Sequence, residues 1–374
     1  MSEAEEKRVT WAECYFDLVF VFAITQVSGL LQQTALPRAL VVLVPVYWCW
    51  VGTTVQANVR DVDNARDRLG ILGVGLAGMG MAMAIPDAYG GRGLLFGLSY
   101  WAARLVLFAL MAHVPRARTG PYGIGAAITG PLLVAGGLLD GNARLLLWAL
   151  AALIDLAGPA VLRRRLADVR YHAGHLPERF GLLMLVAVGE SIVATGAPAA
   201  AARTLDGAEL ASVAAAFTIS CALWWVYFVH ANEAMRYAVA VAEVQRDLVR
   251  RVFSYAHLVL VASVITVAAG FHGTVAEPDR PLSWRNLALL CGGCALYLGT
   301  FGYTRWIMFQ AVAHTRVAAA GVVLALIPVL RPLPALGALA LLAVVLVLLV
   351  AFEEYRIKQA RLRAAPAAAV AVAE

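Results

Sequence analysis

Glu13-Cys-Tyr-Phe-Asp17-Leu-Val-Phe-Val-Phe-Ala-Ile-Thr25-Gln26 and Glu178-Arg-Phe-Gly-Leu-Leu-Met-Leu-Val-Ala-Val-Gly-Glu190-Ser191 read as two versions of one signal. In each, a carboxylate opens an apolar run long enough to enter a bilayer, and polar residues return inside the run. Aligned on Glu13 and Glu178, the two copies lie 165 residues apart, close to half of the 374-residue chain. Carboxylates are costly in hydrocarbon, so such residues are default candidates for function.

The rest of the chain has the same character. It is 61% hydrophobic and 14% charged, with mean hydropathy +0.76, whereas soluble chains are about 25% charged. A membrane-spanning helix needs roughly 20 mostly apolar residues. Runs of that kind predict twelve spans, near 15–34, 39–57, 69–86, 93–113, 121–139, 144–162, 179–197, 208–230, 251–271, 284–304, 312–330 and 333–352. The expected fold is all-α, a polytopic transmembrane helical bundle. The acidic start, Met1-Ser-Glu-Ala-Glu-Glu-Lys-Arg8, lacks the basic region of a cleavable signal peptide. The first span is therefore expected to direct its own insertion.

The net charge of +6 and pI near 9.2 do not call for nucleic acid. Lys and Arg divide 22 against 7 between the two sides of the predicted spans, with Arg104 inside span four. Positive residues concentrate on the cytoplasmic side of membrane proteins. Both termini are thus expected in the cytoplasm, with the protein multi-pass in the inner (plasma) membrane.

The repeat extends beyond the first helix. Tyr47-Trp48-Cys49-Trp50 in span two corresponds to Trp224-Trp225-Val226-Tyr227 in span eight, and Arg66-Asp67 and Arg246-Asp247 follow them. Six spans per copy is an even number, so the copies must share one orientation. Two parallel six-helix repeats are expected, over 1–170 and 171–363, with a frayed tail at 364–374.

The two quoted strings, with Asp155-Leu-Ala-Gly-Pro159, Trp224-Trp-Val-Tyr-Phe-Val-His230 and Tyr255-Ala-His257, resemble the bacterial low-temperature requirement protein A family over nearly the full length. The resemblance implies a multi-pass membrane protein whose molecular activity is not settled. Phe16-Asp17-Leu-Val-Phe-Val-Phe-Ala-Ile24 is also similar to the F-S-D segment of endosomal and bacterial potassium channels. The Ser is absent, and Leu182 stands at the second copy's Asp position.

Glu190 is the leading candidate for proton transfer. It falls near the expected bilayer midplane, beside Gly189 and Ser191. Asp17 is the second, one helical turn from Glu13 and on the same face. Candidate substrate-binding residues are Glu13, Trp48, Trp50, Ser191, Trp224 and His230. Trp48 and Trp50 fall in mid-span rather than at the interfaces that aromatic belts occupy, which suits a core or cavity wall. Asp155 is expected to pair with Arg104. His175 is expected at the cytoplasmic surface, and Gly70, Gly73, Gly75, Gly78 and Gly80 to give span three a small-sided packing face. Cys291-Gly-Gly-Cys294 reads as small-residue packing in a helix. No spacing predicts a metal or cofactor, and no phosphate loop or nucleophile elbow is present.

Two functions fit these residues. One is a secondary transporter or channel-like protein with intramembrane carboxylates as proton or cation sites. The other is an intramembrane enzyme, such as a terpene cyclase, in which a buried carboxylic acid protonates an isoprenoid-type substrate in an aromatic-lined pocket. The expected partners are the lipid bilayer and an unidentified small molecule, ion or lipid-soluble substrate. Self-association is left open.

Overall fold

The computed structural model describes residues 7–114, 119–164, 169–202 and 205–371, the last eight of these by backbone alone. Arg116, Arg118, Arg165 and Arg203, all part of the charge count, lie outside the described residues, as do 372–374. Among the described residues the secondary structure is helical, apart from one isolated bridge between Pro281 and Pro334.

Ten helices are long and apolar enough to cross a bilayer. They are α1 (Trp11–Gln33), α2 (Leu36–Val59), α3 (Ala65–Asp87), α4 (Gly93–Met111), α6 (Gly141–Val161), α7 (His175–Ala201), α8 (Gly207–Val241), α9 (Gln245–Val275), α10 (Trp284–Phe309) and α12, which begins at Ala335 and runs to Ala371. The predicted spans five and eleven exist as shorter helices. α5, residues 121–137, is about 26 Å long at 1.5 Å per residue, short of the roughly 30 Å hydrocarbon core. It carries a π-helical segment at Gly125–Thr129. α11, residues 314–330, breaks at Leu326 between His314–Ala325 and Ile327–Leu330. Pro328 lacks the N–H that would carry the helix through the break. The backbone of α12 is helical to Ala371.

Local sequence sets the helix starts. Thr10 and Glu13 form a capping box on α1, and Asp206 and Glu209 form one on α8. Asn64 caps α3 and Ser283 caps α10. Lys7 runs back over the end of α2, donating to the carbonyls of Ala57 and Arg60. Burial pulls its ammonium below the ordinary lysine value.

The helix pairs that pack in the first six helices pack again in the last six. α1 lies on α3 and α7 on α9. α3–α4 is matched by α9–α10, α4–α5 by α10–α11, α2–α6 by α8–α12 and α1–α2 by α7–α8. α1 also meets α7 and α9 directly, and α2 meets both. α2 is the most enclosed span.

Small residues make the closest of these approaches. On α3, Gly75 and Gly78 receive Phe16, Val19 and Phe20 of α1. Between α4 and α5 the backbones themselves touch. A Cβ on Gly97 would sit 2.5 Å from the Leu133 carbonyl oxygen, and one on Gly137 would sit 2.6 Å from that of Gly93. Backbone cannot yield as a side chain can. Gly97→Leu is expected to destabilise the detergent-solubilised protein by roughly 1–3 kcal/mol or more. Gly292→Leu, where nothing lies within 4 Å of a new Cβ, should leave the thermal midpoint in place. Equal midpoints for the two variants would contradict the packing described.

Candidate functional site

The first quoted stretch meets the second at a buried ionic cluster. Arg179 of α7 grips Asp17 of α1 in a fork, with Nη1 donating to Oδ2 at 2.6 Å and Nη2 to Oδ1 at 2.9 Å. Nη1 also donates to the Glu13 carbonyl at 3.1 Å, and Nε lies 3.4 Å from the Glu13 carboxylate. Trp50 of α2 donates its indole N–H to Asp17 at 2.8 Å, and its ring lies 5.3 Å from the guanidinium. Glu13, Trp50, His175 and Arg179 are wholly buried, and Asp17 is 4% exposed.

Glu13 does two jobs. One oxygen accepts the Thr10 N–H and hydroxyl in the capping box, and the other meets His175 Nε2 at 3.0 Å. Asn58 fixes the imidazole. Its Oδ1 accepts the His172 N–H, so its Nδ2 is the group facing His175 Nδ1 at 3.1 Å. An amide N–H donates, so Nδ1 accepts and Nε2–H points at Glu13. The cluster thus joins α1, α2 and α7 through one set of charge-assisted bonds.

Two expectations are corrected here. His175 is expected at the surface, and the 22-to-7 count takes Arg179 with the charges outside the spans, yet both are fully buried. α7 begins at His175, before Pro177, because proline is tolerated in a helix's first turn. The two basic side chains therefore ride on the helix into the bundle. Arg104 is likewise not alone in a span, since Arg144, Arg179 and Arg316 are also buried in helices.

Asp155 does pair with Arg104, at 3.5 Å. Thr129 donates to Asp155 at 3.1 Å, and so does the Tyr100 hydroxyl. Arg104 reaches the Pro121 carbonyl at 2.9 Å and packs against Gly125, where a side chain would collide with the guanidinium. The π segment of α5 thus brings both Thr129 and Gly125 to this pair. In the second half the comparable bond is a fork between Arg316 of α11 and Glu353 of α12, at 2.9 to 3.2 Å.

Glu190 stands just past the middle of the 27-residue α7, 4% exposed. It forms no ion pair among the described residues. It meets Thr25 of α1, 165 positions earlier, and Ser28 of α1 and His272 of α9 also lie near it. Thr25 Oγ1 lies within hydrogen-bond reach of both Glu190 Oε2 and the Val21 carbonyl, the latter at 3.1 Å. Ser191 bonds to the Val188 carbonyl and to Ser220 of α8, at 2.6 and 2.8 Å.

Trp48 departs from Trp50. It stacks on Tyr255 of α9, ring centres 6.1 Å apart, and walls a cavity of about 300 Å³ at the face of the bundle where α1 begins. α2, α4, α5 and α6 enclose this cavity together with the first turns of α9. None of Glu13, Asp17 and Glu190 reaches it. Tyr171, on the loop before α7, contributes a hydroxyl whose pKa burial pushes up to about 12. Trp224 is 37% exposed and stacks on Phe228, and His230 meets Glu354 of α12 at 2.8 Å. Neither joins the cavity or the ionic cluster. Cys291 and Cys294 are free and buried among apolar neighbours of α10. The described residues contain no group of three or more His, Cys, Asp or Glu that could hold a metal ion.

A polytopic helical membrane protein with ionic clusters sealed between its helices is the class that this architecture defines. The sequence model of the bacterial low temperature requirement A protein family matches residues 8–351, and the chain belongs to that family. It is similar to an uncharacterised protein of Rhizobium meliloti (strain 1021), 26% identical over 342 residues that cover 86% of this chain and 83% of the relative. No solved structure matches it.

The cluster makes a thermodynamic prediction. Arg179→Gln leaves two buried carboxylates without their cation and is expected to cost about 3–5 kcal/mol. Replacing all three charges together, with Glu13→Gln, Asp17→Leu and Arg179→Met, should recover most of that loss, since well-packed neutral groups often match a buried ion pair. Unfolding titrations in mixed micelles check this. A triple variant no better than Arg179→Gln would contradict the clamp described.

Proposed function

We propose that this protein is a secondary transporter built of two parallel six-helix units, in which Glu190 is the proton- or cation-binding group. The single observation that carries the reading is the contact between Glu190 and Thr25. The 165-residue register that aligns Glu13 with Glu178 also aligns Thr25 with Glu190. Equivalent positions of two repeats touch only where they lie at the axis relating the units. Transporters built of such repeats bind substrate and coupling ion at the repeat interface near mid-membrane. The recurring helix pairs support the same division of the chain at about residue 170.

The hydrogen-bond geometry supports an exchangeable proton at this place. Thr25 has one hydroxyl proton and two oxygens within reach, Val21 O and Glu190 Oε2. A proton on Glu190 satisfies both contacts, with the carboxyl donating to Thr25 Oγ1 and Thr25 donating to Val21. Without that proton one oxygen pair is left unbridged. Loading and release at Glu190 would therefore be sensed by α1 as well as α7. Asp17 and Glu13 act differently in this reading. With their oxygens held by Arg179, Trp50, His175 and Thr10, they hold the units together and do not relay protons.

The test is proton or cation flux into proteoliposomes containing the full chain. Glu190→Gln keeps the size and loses the titratable group, and is expected to reduce flux at least tenfold. Thr25→Val should slow it less, since it removes the partner and not the carrier. Wild-type flux in Glu190→Gln would refute the assignment.

A further inference from the structure

The cavity beside Trp48 has an uneven charge distribution that no part of the transport reading uses. Its deep wall is mostly apolar and aromatic, formed by Trp48, Val51, Gly52, Val55 and Tyr122, with Arg104, whose charge is met by Asp155, also in the lining. Its mouth is cationic. Arg163 at the end of α6 and Arg246 and Arg250 at the start of α9 stand around it, with Asp247 as the one acid among the described lining residues. Arg250 lies 3.1 Å from Asp247, and Arg246 only within 3.9 Å. Arg246 Nε is buried and makes no hydrogen bond. Arg163 has no acidic partner among the described residues. Three guanidinium groups over one carboxylate make the described part of the opening cationic, with Arg163 exposed and Arg246 and Arg250 partly buried. A rim with more cations than carboxylates at the lip of an apolar recess attracts an anion.

The backbone is adapted to the same place. The π segment of α5, Gly125–Thr129, follows directly on Tyr122. Of the two other described π segments, Val226–Ala231 of α8 lies away from the cavity, and Val249–Ala256, after the first turn of α9, carries Arg250 and Ser254 into the lining. π-bulges interrupt helices at a cost and cluster at functional sites. The volume of about 300 Å³ stands at the low end of small-molecule sites.

The geometry points to a binding site for an amphiphile with a single apolar chain and a phosphate head, the chain lying against Trp48 and Gly52 and the head held by Arg163, Arg246 and Arg250. A phosphate monoester suits the mouth because its charge approaches −2 and its oxygens accept from guanidinium forks. The inference is independent of any role for Glu190, which lies outside the cavity.

Quenching of tryptophan fluorescence by a bromine-labelled decyl phosphate tests it, with the full chain reconstituted in phosphatidylcholine vesicles. Saturable quenching is expected, with the saturable part missing in Trp48→Phe. Arg246→Gln/Arg250→Gln should weaken it at least tenfold. Val55→Trp, which fills the cavity and leaves the arginines alone, should abolish competition by unlabelled decyl phosphate while helical circular dichroism stays unchanged. Decanol and inorganic phosphate, each lacking one part, should compete at least tenfold less well than decyl phosphate. Phosphatidate added to the vesicles separates the sources. Competition by it makes the ligand a membrane lipid, its failure makes the ligand a soluble phosphate ester, and either result supports the site. Non-saturable quenching, quenching unaffected by the arginine substitutions, or equal competition by decanol or inorganic phosphate would overturn the proposal.

Discussion

Arg179 is the interaction on which the rest of the molecule depends. Two carboxylates on α1, one turn apart, would be prohibitive in an apolar bundle by themselves. A single guanidinium from α7 compensates both, and Trp50, His175 and Asn58 complete the hydrogen bonding from α2 and the α7 start. Breaking any one of these bonds would leave a buried charge or donor unmet. The register between α1, α2 and α7 is therefore fixed to within a hydrogen bond. That fixed frame brings Thr25 to Glu190 three turns further along, and it seats Trp48 of α2 against Tyr255 of α9.

The polar groups of this bundle divide by what surrounds them. Glu13, Asp17, Asp155 and Glu353 each face an arginine at bonding distance. Glu190 faces a threonine. The cavity arginines face open space and share one aspartate. A cluster held by several charge-assisted bonds resists change, whereas a group with a neutral neighbour or an incomplete counter-charge can gain or lose a proton or ligand without dismantling the fold. That contrast underlies the roles proposed above for Glu190 and for the Arg163–Arg246–Arg250 mouth.

Much of this was legible in the chain itself. Apolar run length located the ten membrane-length helices among the described residues, while the runs at α5 and α11 gave shorter helices, where Gly, Pro and a π segment interrupt the rise. The Arg104–Asp155 pair was legible because both charges stand deep in apolar runs, where each requires a partner. Arg179 and His175 were not, because Pro177 between them reads as a loop marker until the helix is seen to start before it. A signal was present all the same. Arg179 lies inside the second copy of the repeated stretch, aligned with Cys14, and so belongs to a span rather than a loop. The cavity left no sequence trace, because its walls come from helices as distant as α2 and α9 and no short motif contains them.

The grip of Arg179 on Asp17 also sets a limit on symmetry in the proposed two-unit reading. In the 165-residue register, Asp17 corresponds to Leu182 and Arg179 to Cys14. Two copies of the first unit would confront each buried aspartate with a cysteine. Two copies of the second would strand each arginine opposite a leucine. If the chain divides into two units as proposed, only unlike units neutralise one another, and neither could meet its buried charge by pairing with a second copy of itself.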